Sequence, residues 1–376
     1  MREVIFPRKI LPFLKVLKNY FCGEGGKWIV SKFVPDYNFY GLNSAVVTVG
    51  STSKTVLNNC SIVTNSTGSN AVFATDSGTF EITNIRIKTY KDSSRGLDST
   101  YSGNITAYGI NINTEGEHCA PLATDRGEGW VTVFGNSNNQ MNLLKSSGEG
   151  SPCVYSTGNI TVVDVIGEAT GSEAAVVEGK NSINLTNCEL VGYVKHGIML
   201  YQSMSMDADI GTALFYSYHS SITTKSEGPM IYITNTHAKA YFYNSSFTFT
   251  SNILLKAAAD QWGDEGSNGG SCEMLIENMS TTGDVIAAAD DSNLTLTVVA
   301  SNWSGNVEGN VLVIKKDSED DDGEDIVPTD KSQTLSRNAI IGIGVAAGVA
   351  VIALIAIIVY FVIKKKRNQS PGFNKI

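Results

Sequence analysis

Two kinds of segment alternate along the chain: short, nearly continuous apolar runs, and strands in which apolar and polar residues take turns. The runs are Ala45 to Val49, Ala71 to Thr75, Gly96 to Thr100, Pro121 to Asp125, Pro152 to Ser156, Ala175 to Gly179, Gly197 to Tyr201, Pro229 to Ile233, Asn252 to Lys256 and Asp284 to Ala288. These ten starts recur at intervals of roughly 22 to 32 residues. A self-similar period of that size decides the architecture before local propensity does. After most starts comes a polar or glycine break. A period-two strand follows, as at Val56 to Ile62, Phe80 to Ile87, Ile105 to Ile110, Trp130 to Phe134, Ile160 to Val165, Ile183 to Leu190 and Leu294 to Val298. Such alternation in β-branched and aromatic residues marks half-buried strands.

Several strands carry an asparagine one step past an apolar-polar pair: Asn59 after Leu57, Asn84 after Ile82, Asn187 after Leu185, Asn244 after Phe242 and Asn278 after Ile276. Asparagine tolerates left-handed backbone, so each is expected to turn a corner. Stacked coils would bring these amides into a ladder at the strand spacing of about 4.7 Å. Two-residue hairpin signals are scarce, which disfavours a sandwich. The expected fold is all-β, a three-sided parallel β-helix of about ten coils over residues 41–314, with a core of stacked Val, Ile, Leu and Phe.

The ends read differently. Residues 1–40 place Phe13, Leu14, Leu17, Tyr20 and Phe21 at nearly helical spacing, as in an amphipathic cap or an incomplete leader. Arg2, Arg8 and Lys9 precede an apolar stretch, Ile10 to Leu14, that Lys15 cuts below signal-peptide length, so the export signal is expected to be missing or replaced. Residues 315–338 form an acidic stalk, with eight acids and no base between Asp317 and Asp330. Residues 339–363, from Ala339 to Ile363, are 25 residues without a charge, long enough for a transmembrane helix in membrane lipid. Lys364, Lys365, Lys366 and Arg367 open a basic tail, 364–376, that is expected on the cytoplasmic side. Gly344 and Gly348 form a small-residue pair for a lateral dimer, while Gly342, Gly344 and Gly348 together weaken the outer turn and open a route to shedding.

Orientation places the large N-terminal part outside a plasma membrane. Sequons at Asn59, Asn65, Asn104, Asn159, Asn184, Asn244, Asn278, Asn293 and Asn302 agree with that placement, although a chain this rich in Asn, Ser and Thr generates sequons by composition. A net charge of −9, with only 28 Lys and Arg, argues against nucleic acid as a partner. The six cysteines (Cys22, Cys60, Cys119, Cys153, Cys188, Cys272) form no CxxC pair, and buried free thiols are the expectation.

The segments Arg95 to Thr106, Ala123 to Gly129, Tyr155 to Thr161, Val177 to Ser182, Gly197 to Met204, Leu254 to Ala259 and Gly266 to Gly270 resemble the pectate-lyase-like, adhesin-like β-helix surface proteins of anaerobic bacteria and parasitic protists. The resemblance spans roughly residues 40 to 310. It implies a right-handed parallel β-helix and cell-surface placement more than any activity.

β-Helices often cleave acidic polysaccharides, and Arg86-Ile87-Lys88 matches the Arg-Ile-Lys element of polygalacturonases. There the element follows the catalytic acids, whereas here only about three coils precede Arg86 and none carries them. The Asp290-Asp291 pair and Lys195-His196-Gly197 lie downstream in the wrong order, so Arg86 and Lys88 are read as an outward solvated edge. Carboxylates for a calcium-assisted lyase are available at Asp125 and Glu128 beside Arg126, or at Asp260, Asp264 and Glu265. Both groups sit in turns, where acids are common for backbone reasons. His118, His196, His219 and His237 have no metal-ligand spacing. No catalytic, cofactor-binding or metal residue is assigned, and the chain is read as a non-enzymatic adhesin-like protein that binds host or neighbouring-cell glycans or surface proteins. A polysaccharide lyase or hydrolase is the alternative.

Overall fold

The structure, a computed structural model, describes residues 27–30, 41–135, 142–205, 207–262 and 268–317. The expected membrane helix 339–363, most of the acidic stalk, the basic tail and the N-terminal residues Phe13 to Phe21 lie outside these. Among the described residues no helix is long and apolar enough to cross a membrane.

The described chain winds into a parallel β-solenoid of about ten turns, with every strand pairing parallel to the strand one turn away. Each coil has three faces. Face one is an 11-stranded sheet from Val46–Val49 to Val307–Glu308, and faces two and three belong to a 17-stranded sheet, except that Ser280–Thr282 and Asn302–Ser304 pair as a separate two-stranded sheet on face three. The ten starts are the face-one strands, and Val307–Glu308 adds an eleventh. Their registry is also largely as expected. Val46, Val72, Leu97 and Leu122 stack in one column, so Ala45, Ala71, Gly96 and Pro121 precede equivalent residues. The column continues through Val154, Ala175, Ile198 and Ile231. The equivalents of Gly96 are therefore Cys153, Ala174 and Met230, one residue from the expected Pro152, Ala175 and Pro229. A register irregularity between Ile253 and Leu255 displaces the next coil as well.

The apolar runs differ from the alternating strands for a physical reason. Val72–Thr75, Ala175–Glu178, Ile198–Tyr201 and Ile231–Thr234 are buried at every position, so both surfaces of face one are covered in these coils. Parallel strands buried on both surfaces read as continuous apolar sequence. Face two is open to solvent and shows strict alternation, as in Thr212–Tyr218 and His237–Tyr243.

The inward column of face two runs Phe80, Ile105, Val131, Ile160, Ile183, Phe215, Ala240, Met274 and Leu296, all at most 2% exposed. Large residues meet small ones across coils. Phe215 stacks on Ala240, and Ser217 on Phe242, which brings the two rings to 5.8 Å. Close packing of this kind tolerates neither a void nor an extra methylene.

Asn59, Asn84, Asn187, Asn244 and Asn278 all adopt positive φ, between 47° and 53°, at the corner from face two to face three. Gly109, Asp164, His219 and Ala300 occupy the same corner with φ of 44° to 65°. The side chains form separate rungs rather than one continuous ladder. Asn84 donates to Asn59 at 3.2 Å, Asn187 donates to Asp164, and Asn244 bonds His219 at 2.7 Å. Gly109 has no side chain to extend the first rung. The backbone ladder runs through the corner: Asp164 N–H donates to Thr186 O, Asn187 to Tyr218, His219 to Tyr243, Asn244 to Glu277 and Asn278 to Val299.

A second column closes the corner before face one. Ser69 N–H donates to Ser94 Oγ at 2.9 Å, Ser94 N–H to Cys119 Sγ at 2.9 Å, and Cys119 N–H to Ser151 Oγ at 2.8 Å. Cys119 thus takes the place of a serine. It is a buried free thiol, as are Cys60, Cys153, Cys188 and Cys272; Cys22 lies outside the described residues. Burial pushes the Cys119 and Cys188 thiols up to about 11.

The corner makes a testable demand. Asn84→Gly keeps the left-handed backbone and loses only one exposed rung, so its melting temperature should fall little. Asn84→Val should cost about 2 kcal/mol, because a β-branched residue is strained at positive φ. Thermal melts of the two variants, read by circular dichroism, separate backbone conformation from the amide bond.

Candidate functional site

Most residues with recognisable chemistry are neutralised where they stand. Arg86 is exposed on face three, and Lys88, two residues on, pairs with Glu115 and lies 4.9 Å from the Tyr90 ring centroid. Both therefore form the outward edge the alternation implies. Asp125, Arg126 and Glu128 do not converge: Asp125 pairs with Arg95 at 2.9 Å, Arg126 with Asp207, and Glu128 with Lys180 at 2.8 Å. Asp260 accepts from Tyr232 Oη at 3.1 Å, while Asp264 and Glu265 lie outside the described residues. Among the described residues no three His, Cys, Asp or Glu side chains group as metal ligands.

His118 and His219 sit at corners with positive φ. His196 stacks on Tyr232 with centroids 4.2 Å apart, and burial lowers its pKa to about 4, so it is neutral at neutral pH. Asp291 is held by the Gly269 N–H at 2.9 and 3.0 Å. His196 and Asp291 belong to coils well separated along the solenoid.

Two buried polar clusters lie on face one. In the first, Arg95, Asp98 and Asp125 are 8%, 0% and 2% exposed. Arg95 reaches Asp125 at 2.9 Å and Asp98 at only 3.8 Å, while Asn70 donates to Asp98 at 3.1 Å. One guanidinium faces two carboxylates, and burial pushes both carboxyls up against its pull. Asp98, whose Oδ1 has no hydrogen-bond partner among the described residues, is the better place for a shared proton. In the second, Glu178 is 1% exposed and accepts hydroxyls from Tyr155, Tyr201, Ser203 and Ser205. Burial holds both tyrosine phenols well above their usual range. This network ties the segment after Tyr201 onto face one, beside a small apolar cluster of Val176, Met199 and Tyr232 that Trp262 covers.

The open surface with the most distinctive chemistry is face two in the coils of Thr212–Tyr218, His237–Tyr243 and Ser271–Glu277. Tyr216 and Tyr218 point outward in register with Tyr241 and Tyr243, and all four are half-buried. Tyr218 and Tyr241 meet edge to face at 5.5 Å, and Tyr241 Oη donates to Glu277. Burial raises the Tyr216 and Tyr218 phenols. At the N-terminal end of these strands lies an open groove of about 480 Å³. Thr212, Asn235, His237, Asn268, Ser271 and Asp291 are among the residues that line it. Nearer the N-terminus, Tyr108 stacks on Phe134 at 5.3 Å on the same face, and the 40%-exposed Trp130 lies four residues before Phe134 on its strand.

Sequence reasoning missed the tyrosine grid and both buried clusters. The signal for the grid was present: Tyr216-Ser217-Tyr218 and Tyr241-Phe242-Tyr243 put aromatics at alternate positions of consecutive repeats. No known protein family, curated protein or solved structure matches the chain.

The Arg95 cluster predicts a pH dependence. A carboxyl whose folded pKa is raised binds its proton more tightly when folded, so its contribution is intact at low pH. That contribution is lost as pH rises from the ordinary carboxylate range, about 3.9, toward the raised value. The stability of Asp98→Asn relative to the parent should therefore climb with pH, reaching about 1–3 kcal/mol by pH 8. Asp125→Asn removes the closest charge partner of a buried guanidinium and should instead cost about 3 kcal/mol. Urea titrations of both variants between pH 4 and pH 8 check the opposite signs.

Proposed function

We propose that this protein is an adhesin-like display protein of the cell surface, which binds host or neighbouring-cell glycans or surface proteins. In this reading the coil is a right-handed, pectate-lyase-like β-helix. The apolar run 339–363 holds it in the plasma membrane, with the large N-terminal domain outside and the basic tail in the cytoplasm. Gly344 and Gly348 offer a lateral contact between copies.

The observation that carries the proposal is the character of face two. Its outward columns stay in register coil after coil, through Thr106, Thr132, Thr161 and Asn184 to Tyr216 and Tyr241. A flat surface of repeated short polar and aromatic side chains suits many weak contacts in parallel, which is how adhesion gains strength. The sequons support placement outside the cell. Asn59, Asn65, Asn104, Asn244, Asn278, Asn293 and Asn302 are exposed and Asn159 and Asn184 half-exposed, so none is buried.

Displayed as the full chain on a non-adherent cell, the protein should increase attachment to at least one surface in a panel of host cells and immobilised glycans. The solenoid should be cut by external protease on intact cells and should shift in mobility with glycosidase. Absence of any gain in attachment overturns the adhesive reading. A domain that resists external protease and carries no glycan overturns the topology.

A further inference from the structure

We propose that the tyrosine grid and its adjoining groove form a binding site for a neutral oligosaccharide. This deepens the display reading above and rests on it for biological purpose, but the binding chemistry is argued from the site itself.

The platform comes first. Outward residues two apart on a strand lie about 6.8 Å apart, and neighbouring strands about 4.8 Å. Tyr216, Tyr218, Tyr241 and Tyr243 therefore form a two-by-two grid of aromatic rings on a flat surface. Tyr241 is steadied by Glu277, and Tyr243 by an edge contact with His219 at 5.5 Å. Aromatic rings with polar rims suit a ligand that is apolar on one surface and hydroxylated at its edges. Sugar rings have that form, with C–H groups on their faces and hydroxyls around them.

The groove then selects among ligands. At about 480 Å³ it falls within the range of small-ligand sites. Its lining is polar and braced from within: Asn268 donates to Asn235 at 2.9 Å and His237 Nδ1 bonds Ser271 Oγ at 2.6 Å, with Thr212 beside them. No Lys or Arg is among the described lining residues. Asp291 is the one carboxylate there, and Lys239 on the adjacent strand is engaged by Glu273 at 3.3 Å. With Glu273, Glu277 and Asp291 against Lys239, the region repels phosphate, uronate and sialate, while its polar lining penalises an apolar ligand. Platform and groove together extend about 20 Å along the seven-residue strand Thr212–Tyr218, room for several sugar rings.

Full-length protein in detergent should bind at least one of cellohexaose, maltohexaose and mannohexaose saturably by calorimetry, and hexagalacturonate and sialyllactose far more weakly. Tyr216→Ala with Tyr241→Ala should weaken binding about tenfold or more, the equivalent of ~1.4 kcal/mol of stacking. Arg86→Gln, on face three in a coil far from the grid, should leave it unchanged. A second measurement needs no variant: bound oligosaccharide should protect Tyr216, Tyr218, Tyr241 and Tyr243 from tetranitromethane while Tyr90 and Tyr193 still react. Binding to acidic sugars alone, no binding to any neutral series, or neutral binding that neither depends on the tyrosine pair nor protects the grid overturns the proposal. Cell attachment that survives the tyrosine substitutions overturns this site while leaving the display reading standing.

Discussion

The solenoid depends on one constraint: the hydrogen-bond ladder between coils must continue around every corner. A parallel sheet that bends sharply would strand backbone groups inside the fold, and an unpaired buried group costs as much as a lost hydrogen bond. A single left-handed residue solves this, because it turns the chain while its own N–H still reaches the next coil. Asn187 and Asn244 do so by donating to Tyr218 O and Glu277 O. Short side chains then fill the angle. Ser69, Ser94, Cys119 and Ser151 close one corner through backbone-to-side-chain bonds between coils, so that even a thiol serves as an acceptor there.

This constraint explains what could be read from the sequence. Corner residues must be few in type, so Asn59, Asn84, Asn187, Asn244 and Asn278 stood out, and each has the left-handed backbone they imply. Gly109, Asp164, His219 and Ala300 fill the same corner without a shared motif and were invisible. Face one was legible because burial on both surfaces produces apolar runs, but the same property blurred registry. With no alternation to fix the phase, Pro152, Ala175 and Pro229 were aligned one residue away from Cys153, Ala174 and Met230. Val307–Glu308 escaped notice because both its residues are exposed and carry no core signature.

The chemistry was less legible than the fold, since nothing in the stacking rule governs an outward side chain. Arg95, Asp98 and Asp125 sit in consecutive repeats, yet their sequence neighbourhoods give no sign that one guanidinium spans two coils. Charges that looked like candidate ligands, Asp125, Arg126 and Glu128, turned out to be matched individually by Arg95, Asp207 and Lys180.

The repeat length carries the last piece of the argument. Successive face-one residues are 25 apart from Val72 to Leu97 but 33 apart from Ile198 to Ile231, and 30 from Leu255 to Val285. Because the backbone ladder joins each coil only to its neighbours, extra residues are tolerated wherever they leave the ladder at a corner and rejoin it in register. Leu122 and Val154 are 32 apart as well, but the coils of Ile198 and Leu255 are the two that depart at the corner between faces one and two. Gln202, Ile210 and Gly211 from one insertion, with Asn268, Gly269 and Gly270 from the other, line the same groove. The two insertions also supply Ser203 and Ser205 to Glu178 and Trp262 to the cluster over face one, so each is anchored by buried contacts. Coils that keep the short period present flat polar strips. The groove arises where two such departures flank a short coil, the 24 residues from Ile231 to Leu255, which makes departure from the repeat, more than the repeat itself, the place to look for specificity in this protein.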